Sequence, residues 1–145
     1  MAVLQVIGGG KMGEALVGGL LHAGRPGAEV RVVEKDPARA DELRAALPEI
    51  EVGDVPAESD GTVLAVKPQD VPAVCQAVAA AGTGRVLSIA AGVTIATLEG
   101  NLAAATPVVR AMPNTPALVG AGAAAIAPGS RFSRSPRRPT ASWSR

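Results

Sequence analysis

Apolar and polar positions along this chain repeat with two different periods, and the switches between them mark its elements. Val3–Ile7 is a short apolar run of β-formers that stops at Gly8-Gly9-Gly10, the pattern of a buried strand. Beyond it, Met12, Ala15, Leu16, Gly19, Leu20 and Ala23 recur at helical spacing, and Gly24 follows as a cap. Val30–Glu34 predicts a second strand. Asp36-Pro37 then offers an N-cap and a first-turn proline to a helix whose inner face carries Ala40, Leu43 and Leu47. Thr62–Val66 predicts a third strand, and past Lys67-Pro68 the positions Val71, Val74, Cys75, Val78 and Ala79 trace another amphipathic helix. Arg85–Ile89 reads as a fourth strand, followed by a glycine turn at Gly92 and a short helix near Thr94–Leu98. Val108-Val109 and Ala121–Ala127 predict two more strands.

Strand alternating with helix at this pace predicts βαβ units: an α/β fold with a Rossmann-type, doubly wound, mainly parallel sheet. Right-handed crossovers place helices on both faces. The pattern fills one domain, residues 1–129. From Ser130 the periodicity stops and Arg, Ser and Pro take over, so residues 130–145 are expected to be a disordered basic tail.

Composition narrows the chemistry. The 145 residues include one Cys, one His, one Trp, one Phe and no Tyr. Both aromatics, Phe132 and Trp143, fall in the tail with five of the 14 basic residues. Residues 1–130 therefore hold 9 basic against 13 acidic residues, and the overall charge of +1 averages two unlike pieces. One cysteine makes no internal disulfide, and a lone His22 gives no metal-ligand cluster. A hydrolase triad would need His22, which sits at the end of an apolar helical face. An aromatic-free body also offers no base-stacking platform, so no nucleic-acid partner is expected. Gly, Pro or a charge interrupts every apolar run before the ~18 residues of a membrane span. Met1-Ala2-Val3-Leu4-Gln5 lacks the basic leader of a signal peptide. A cytoplasmic protein without a membrane partner is the expectation.

Gly8-Gly9-Gly10-Lys11-Met12-Gly13 fits G-x-G-x-x-G directly between strand and helix. Gly8 allows the tight turn, Gly10 lets a pyrophosphate approach the backbone, and Gly13 lets helix and strand pack closely. Phosphates would sit at the helix N-terminus, where free N–H groups and the dipole favour anions. The alternative is a merely flexible glycine turn. Glu34 ends the second strand in the position that binds the ribose 2′-hydroxyl of NAD. Lys35 and Arg39 follow, and either can meet the 2′-phosphate of NADP or stand as a solvated charge. These residues leave the choice of cofactor open.

Two further stretches reach the same sheet edge. Ala65-Val66-Lys67-Pro68-Gln69 sets a lysine just past a buried strand, facing the cofactor if ligands bind at that edge, or else a plain surface residue. Ser88-Ile89-Ala90-Ala91-Gly92-Val93-Thr94 ends the next strand in small residues, which leave room for a flat ring or serve packing. Arg110-Ala111-Met112-Pro113-Asn114-Thr115-Pro116 stiffens Asn114 between prolines, and its amide both donates and accepts. No nucleophile–base pair appears, which suits a reaction whose chemistry the cofactor carries. Cys75 reads as a core residue.

Taken in this order, these four motifs resemble the N-terminal domain of pyrroline-5-carboxylate reductase over residues 2 to about 128. The resemblance implies reduction of 1-pyrroline-5-carboxylate to L-proline with hydride from NADPH, or NADH in some members. It implies that Ile7, Gly8, Gly9, Gly10, Lys11 and Met12 contact the cofactor together with Ala65, Val66, Lys67 and Pro68. The loop from Met112 to Thr115, Asn114 included, is implied near the nicotinamide. It also moves the weighing of Lys35 and Arg39 toward NADP, against Glu34. The family carries a second, mostly helical domain that forms the dimer and supplies much of the imine-carboxylate site. The pattern stops after Pro128-Gly129, so the homo-oligomer interface is expected to be missing here and activity weak or absent.

The tail admits three readings: a basic arm for acidic partners, a solvated tail, or a stretch read out of frame. Its coincidence with the break in the pattern favours the last. Beside the reductase stands a reading of a different class, a non-catalytic dinucleotide-binding module acting through a partner.

Overall fold

Strands whose side chains are apolar on both faces call for helices on both, and this chain sets helices on each by winding outward in two directions from a central strand. The computed structural model describes residues 3–113 and 124–130. In chain order the elements are β1 (Leu4–Ile7), α1 (Lys11–His22), β2 (Val30–Val33), α2 (Pro37–Ala46), β3 (Glu51–Gly53) and β4 (Gly61–Leu64). They continue with α3 (Val71–Ala81), β5 (Val86–Ser88), α4 (Ile95–Asn101), β6 (Val108–Pro113) and β7 (Ala124–Pro128). The strands form one seven-stranded sheet in the order β3-β2-β1-β4-β5-β6-β7. All neighbours pair parallel except β7, which runs antiparallel to β6. The predicted doubly wound, mainly parallel sheet is the observed one.

Each face has its own core. On one, Val17 of α1 and Leu43 of α2 close over Val6, Val30, Val32 and Val63. On the other, Val71, Cys75 and Val78 of α3 and Leu98 of α4 cover Leu64, Val86 and Val108. Leu43, Leu64 and Leu98 are fully buried, and each such side chain contributes about 1.5–3 kcal/mol of hydrophobic stabilisation. The helices start where local chemistry directs. The Asp36 carboxylate accepts the Ala38 N–H at 3.1 Å with Pro37 in the first turn, and the Thr94 hydroxyl accepts the Thr97 N–H at 3.1 Å.

Beyond shifts of one or two residues at other strand ends, such as β2 stopping at Val33 and β4 at Leu64, three elements differ from the expectation. β3 went unpredicted: three residues with one apolar side chain show no periodicity, and pairing with β2 makes the strand, aided by the Arg31–Glu51 ion pair. β6 extends beyond Val108-Val109 to Pro113 because antiparallel β7 supplies partners from Val109 to Pro113. β7 ends at Pro128, while the first residues of the predicted Ala121–Ala127 strand lie outside the described residues, as do Asn114 and the tail from Arg131. Among the described residues no helix is long and apolar enough to cross a membrane.

Candidate functional site

The glycine loop turns from β1 into α1 with almost no room for side chains. Gly8 has φ +103°, and a Cβ there would lie 2.4 Å from the Ala65 carbonyl oxygen. A Cβ on Gly13 would lie 2.1 Å from the Gly8 carbonyl oxygen, so α1 starts in backbone contact with the loop. Gly9 is buried, and a Cβ on it would meet Leu43 Cδ1 at 2.4 Å and Glu34 Oε2 at 2.9 Å. Gly10 is the opposite case: it is exposed, and nothing lies within 4 Å of the place its Cβ would take. It precedes the first turn of α1 without any side-chain cap. The early N–H groups of that turn, from Lys11 through Gly13, have no intrahelical acceptor and a favourable dipole for an anion.

Beside this loop a cleft of about 510 Å³ opens at the carboxyl ends of β1, β2 and β4. Ile7, Gly8, Gly9, Gly10, Glu34, Lys35, Ala65, Val66 and Lys67 line it, so the structure brings together residues from three separated sequence motifs. This is the point where the strand order reverses between β1 and β4, the position at which open α/β sheets take ligands. Lys11, Met12 and Gly13 stand at the helix start beside it, and Pro68 opens the 3-10 turn Pro68–Asp70 that follows Lys67. Lys35 and Lys67 are exposed at its rim.

Glu34 and Arg39 behave differently from one another. The Glu34 carboxylate accepts the Gly9 N–H at 2.9 Å through Oε2 and the Asp36 N–H at 2.9 Å through Oε1, which holds it in the cleft wall. Arg39 is already engaged. Its Nε donates to the Gly9 carbonyl at 2.6 Å, one Nη pairs with Glu42 at 2.9 Å and the other with Glu14. Hydrogen bonds to Glu42 and Glu14 raise its pKa, so the guanidinium stays charged. Arg39 ties the glycine loop to α1 and α2 from outside the cleft.

Pro56, Asp70, Ala73 and Ala77 also line the cleft and escaped the sequence reading, and Val74, read there only as part of a helix face, joins them. Pro56 has a readable antecedent in Gln5, the polar residue inside an apolar strand. Fully buried Gln5 accepts the Ala57 N–H at 2.8 Å and donates toward the Ala57 carbonyl and Thr62 Oγ1, both at 3.3 Å. That pairing holds the β3–β4 connection, and Pro56 with it, against the sheet.

Residues 3–92 match the family described as NADP oxidoreductase, coenzyme F420-dependent. The chain belongs to this family. It is similar to the pyrroline-5-carboxylate reductase of Mycobacterium leprae, with 46% identity over 138 residues, covering 89% of this chain and 47% of that protein. In structure it is similar to a pyrroline-5-carboxylate reductase from Coxiella burnetii, with TM-score 0.84, 30% identity, and 92% of this chain matched to 52% of that one. The Plasmodium falciparum pyrroline carboxylate reductase, solved with NADP bound, shares the fold at TM-score 0.71 and 23% identity, across 92% of this chain and 50% of that one. The chain spans about half the length of the curated relatives it matches.

Proposed function

We propose that this chain is the dinucleotide-binding portion of a cytoplasmic pyrroline-5-carboxylate reductase. The whole enzyme would pass hydride from a reduced nicotinamide to the ring C=N carbon of 1-pyrroline-5-carboxylate, with a proton going to nitrogen, to give L-proline. The nicotinamide supplies the hydride when bound. The chain's own part is placement, and the observation that carries this is the open cradle at Gly10 facing the uncapped start of α1. A pyrophosphate there would meet backbone N–H groups and no side chain. The substrate is inferred from the names of the relatives, and residues beyond this chain's span are expected to bind most of it.

The cofactor has two readings. NADPH follows from the family likeness, with exposed Lys35 as the cation for a 2′-phosphate. NADH is favoured by the Glu34 carboxylate in the cleft wall, which repels a phosphate, and by the engagement of Arg39 elsewhere. Titration of the purified chain with each nucleotide, read by thermal stability, tests the proposal. Stabilisation is expected, with NADH at least as effective as NADPH. No shift with either would refute dinucleotide binding. A coupled assay with 1-pyrroline-5-carboxylate should show little turnover, and turnover near that of a full-length relative would contradict the assignment of substrate binding to the part of the relatives that this chain does not span. A discrete complex with another subunit would instead favour the partner-module reading.

A further inference from the structure

The loop between β1 and α1 is glycine at three consecutive positions, so groups from other elements must set its peptide planes. Most of its polar atoms have a partner. The Gly8 N–H donates to the Val33 carbonyl, the Gly9 N–H to Glu34 Oε2 and the Glu14 N–H to the Gly10 carbonyl, each at 2.9 Å. The Gly9 carbonyl accepts from Arg39 Nε at 2.6 Å. The Gly10 N–H belongs to that same peptide group and meets no acceptor among the described residues.

A trans peptide points its C=O and N–H in opposite directions. With the Gly9 carbonyl turned to Arg39, which lies outside the cleft lining, the Gly10 N–H is turned toward the open side, where Gly10 lines the cleft. Nothing in the glycines themselves keeps it there. A half-turn of the group rotates ψ of Gly9 and φ of Gly10, taking Gly10 from φ −67° to positive φ. Glycine accepts either sign, and neither residue has a side chain to oppose the turn. The turned group would present a carbonyl oxygen to an incoming anion in place of a donor. Arg39 opposes that turn with a charged donor, which binds a carbonyl more strongly than a neutral one does. Its other nitrogens are anchored on Glu14 of α1 and, at 2.9 Å, on Glu42 of α2, so the guanidinium cannot follow the carbonyl into the cleft.

We propose that Arg39 is a positioning residue: its Nε holds the Gly9 carbonyl out of the cleft and so aims the Gly10 N–H at the pyrophosphate of a bound dinucleotide. This rests on the dinucleotide-binding reading of the cleft, and it gives Arg39 a part in binding without contact with the nucleotide. Arg39→Met keeps the apolar stem and removes every donor. Affinities for NADH and NADPH, titrated by nucleotide fluorescence, are each expected to fall by about tenfold or more, with their ratio unchanged. Arg44→Met on the same helix gives up an ion pair to Asp41 and a hydrogen bond to the Val52 carbonyl. As the control for lost surface contacts it should leave both affinities within about twofold of the parent's. Proton–nitrogen NMR reads the peptide directly. Adding NADH should move the Gly10 amide proton downfield in the parent and leave it in place in Arg39→Met, and the parent arm holds even if the variant folds poorly. A loss confined to NADPH would show Arg39 meeting a 2′-phosphate itself, and overturn the proposal. So would recovery of parent affinity in Arg39→Met with Glu14→Gln, which would put the fault on the released Glu14 charge. Unchanged affinities in Arg39→Met, or a parent whose Gly10 amide ignores bound NADH, overturn it as well. A parent that binds neither nucleotide would instead refute the reading of the cleft, and this proposal with it.

Discussion

Replacing Gly8, Gly10 and Gly13 one at a time by alanine separates what each glycine does. At Gly13 the new Cβ would sit 2.1 Å from a backbone oxygen, more than an ångström inside ordinary contact, and neither α1 nor the loop can yield locally. Overpacking of this kind costs about 1–3 kcal/mol. At Gly8 a 2.4 Å clash with the Ala65 oxygen combines with φ +103°, and left-handed backbone adds about 1–2 kcal/mol. Together the Gly8 loss is about 2–5 kcal/mol, or roughly 6–20 °C in Tm for a domain of this size. Gly10→Ala meets nothing, and alanine in place of glycine before a helix costs about 1 kcal/mol or less. Its effect falls on binding, because the methyl fills the space offered to the pyrophosphate. Dinucleotide at about 100 times Kd should raise the parent's stability by about 2.7 kcal/mol, some 8–11 °C, and the Gly10→Ala shift should fall below about 3 °C. Calorimetry with and without dinucleotide measures both quantities. A Gly10→Ala protein that keeps the full ligand shift, or a Gly13→Ala protein as stable as the parent, would refute this division of roles.

Other expectations follow from single contacts. Glu34→Gln removes the charge from the cleft wall and should move the NADH-to-NADPH affinity ratio about tenfold toward NADPH, about 1.4 kcal/mol; an unchanged ratio in the titration would clear Glu34 of that role. Gln5→Leu takes the acceptor from the part-buried Ala57 N–H and should cost about 1 kcal/mol in urea unfolding, a loss that an unaltered midpoint would disprove. Burial pushes the Cys75 thiol from 9.0 up to about 11. The unfolded chain therefore ionises first, so this contribution to stability is complete below pH 9 and is lost as pH rises toward 11. Cys75→Val should flatten that part of the alkaline profile, and identical profiles would count against it.

Much of the architecture was legible in the residues because its signals are local. A buried parallel strand is a continuous apolar run, a helix face repeats every three or four residues, and Asp36-Pro37 and Thr94 announce their helices by capping chemistry. The glycine spacing likewise placed the tight loop between β1 and α1, because each glycine answers to backbone sterics within one turn. β3 and the full length of β6 were not legible, since pairing with a neighbour distant in sequence makes them strands. Arg39 illustrates the same limit at the site. Its sequence position allows it to meet a phosphate, but Gly9, Glu42 and Glu14 converge on its guanidinium only after α1, α2 and the loop are packed together. The chain by itself determined a doubly wound sheet with a glycine loop at its centre, because propensity and periodicity act over a few residues. Tertiary structure alone decided which charges face the cleft and that buried Gln5 holds its wall, because these depend on which distant segments meet across the sheet.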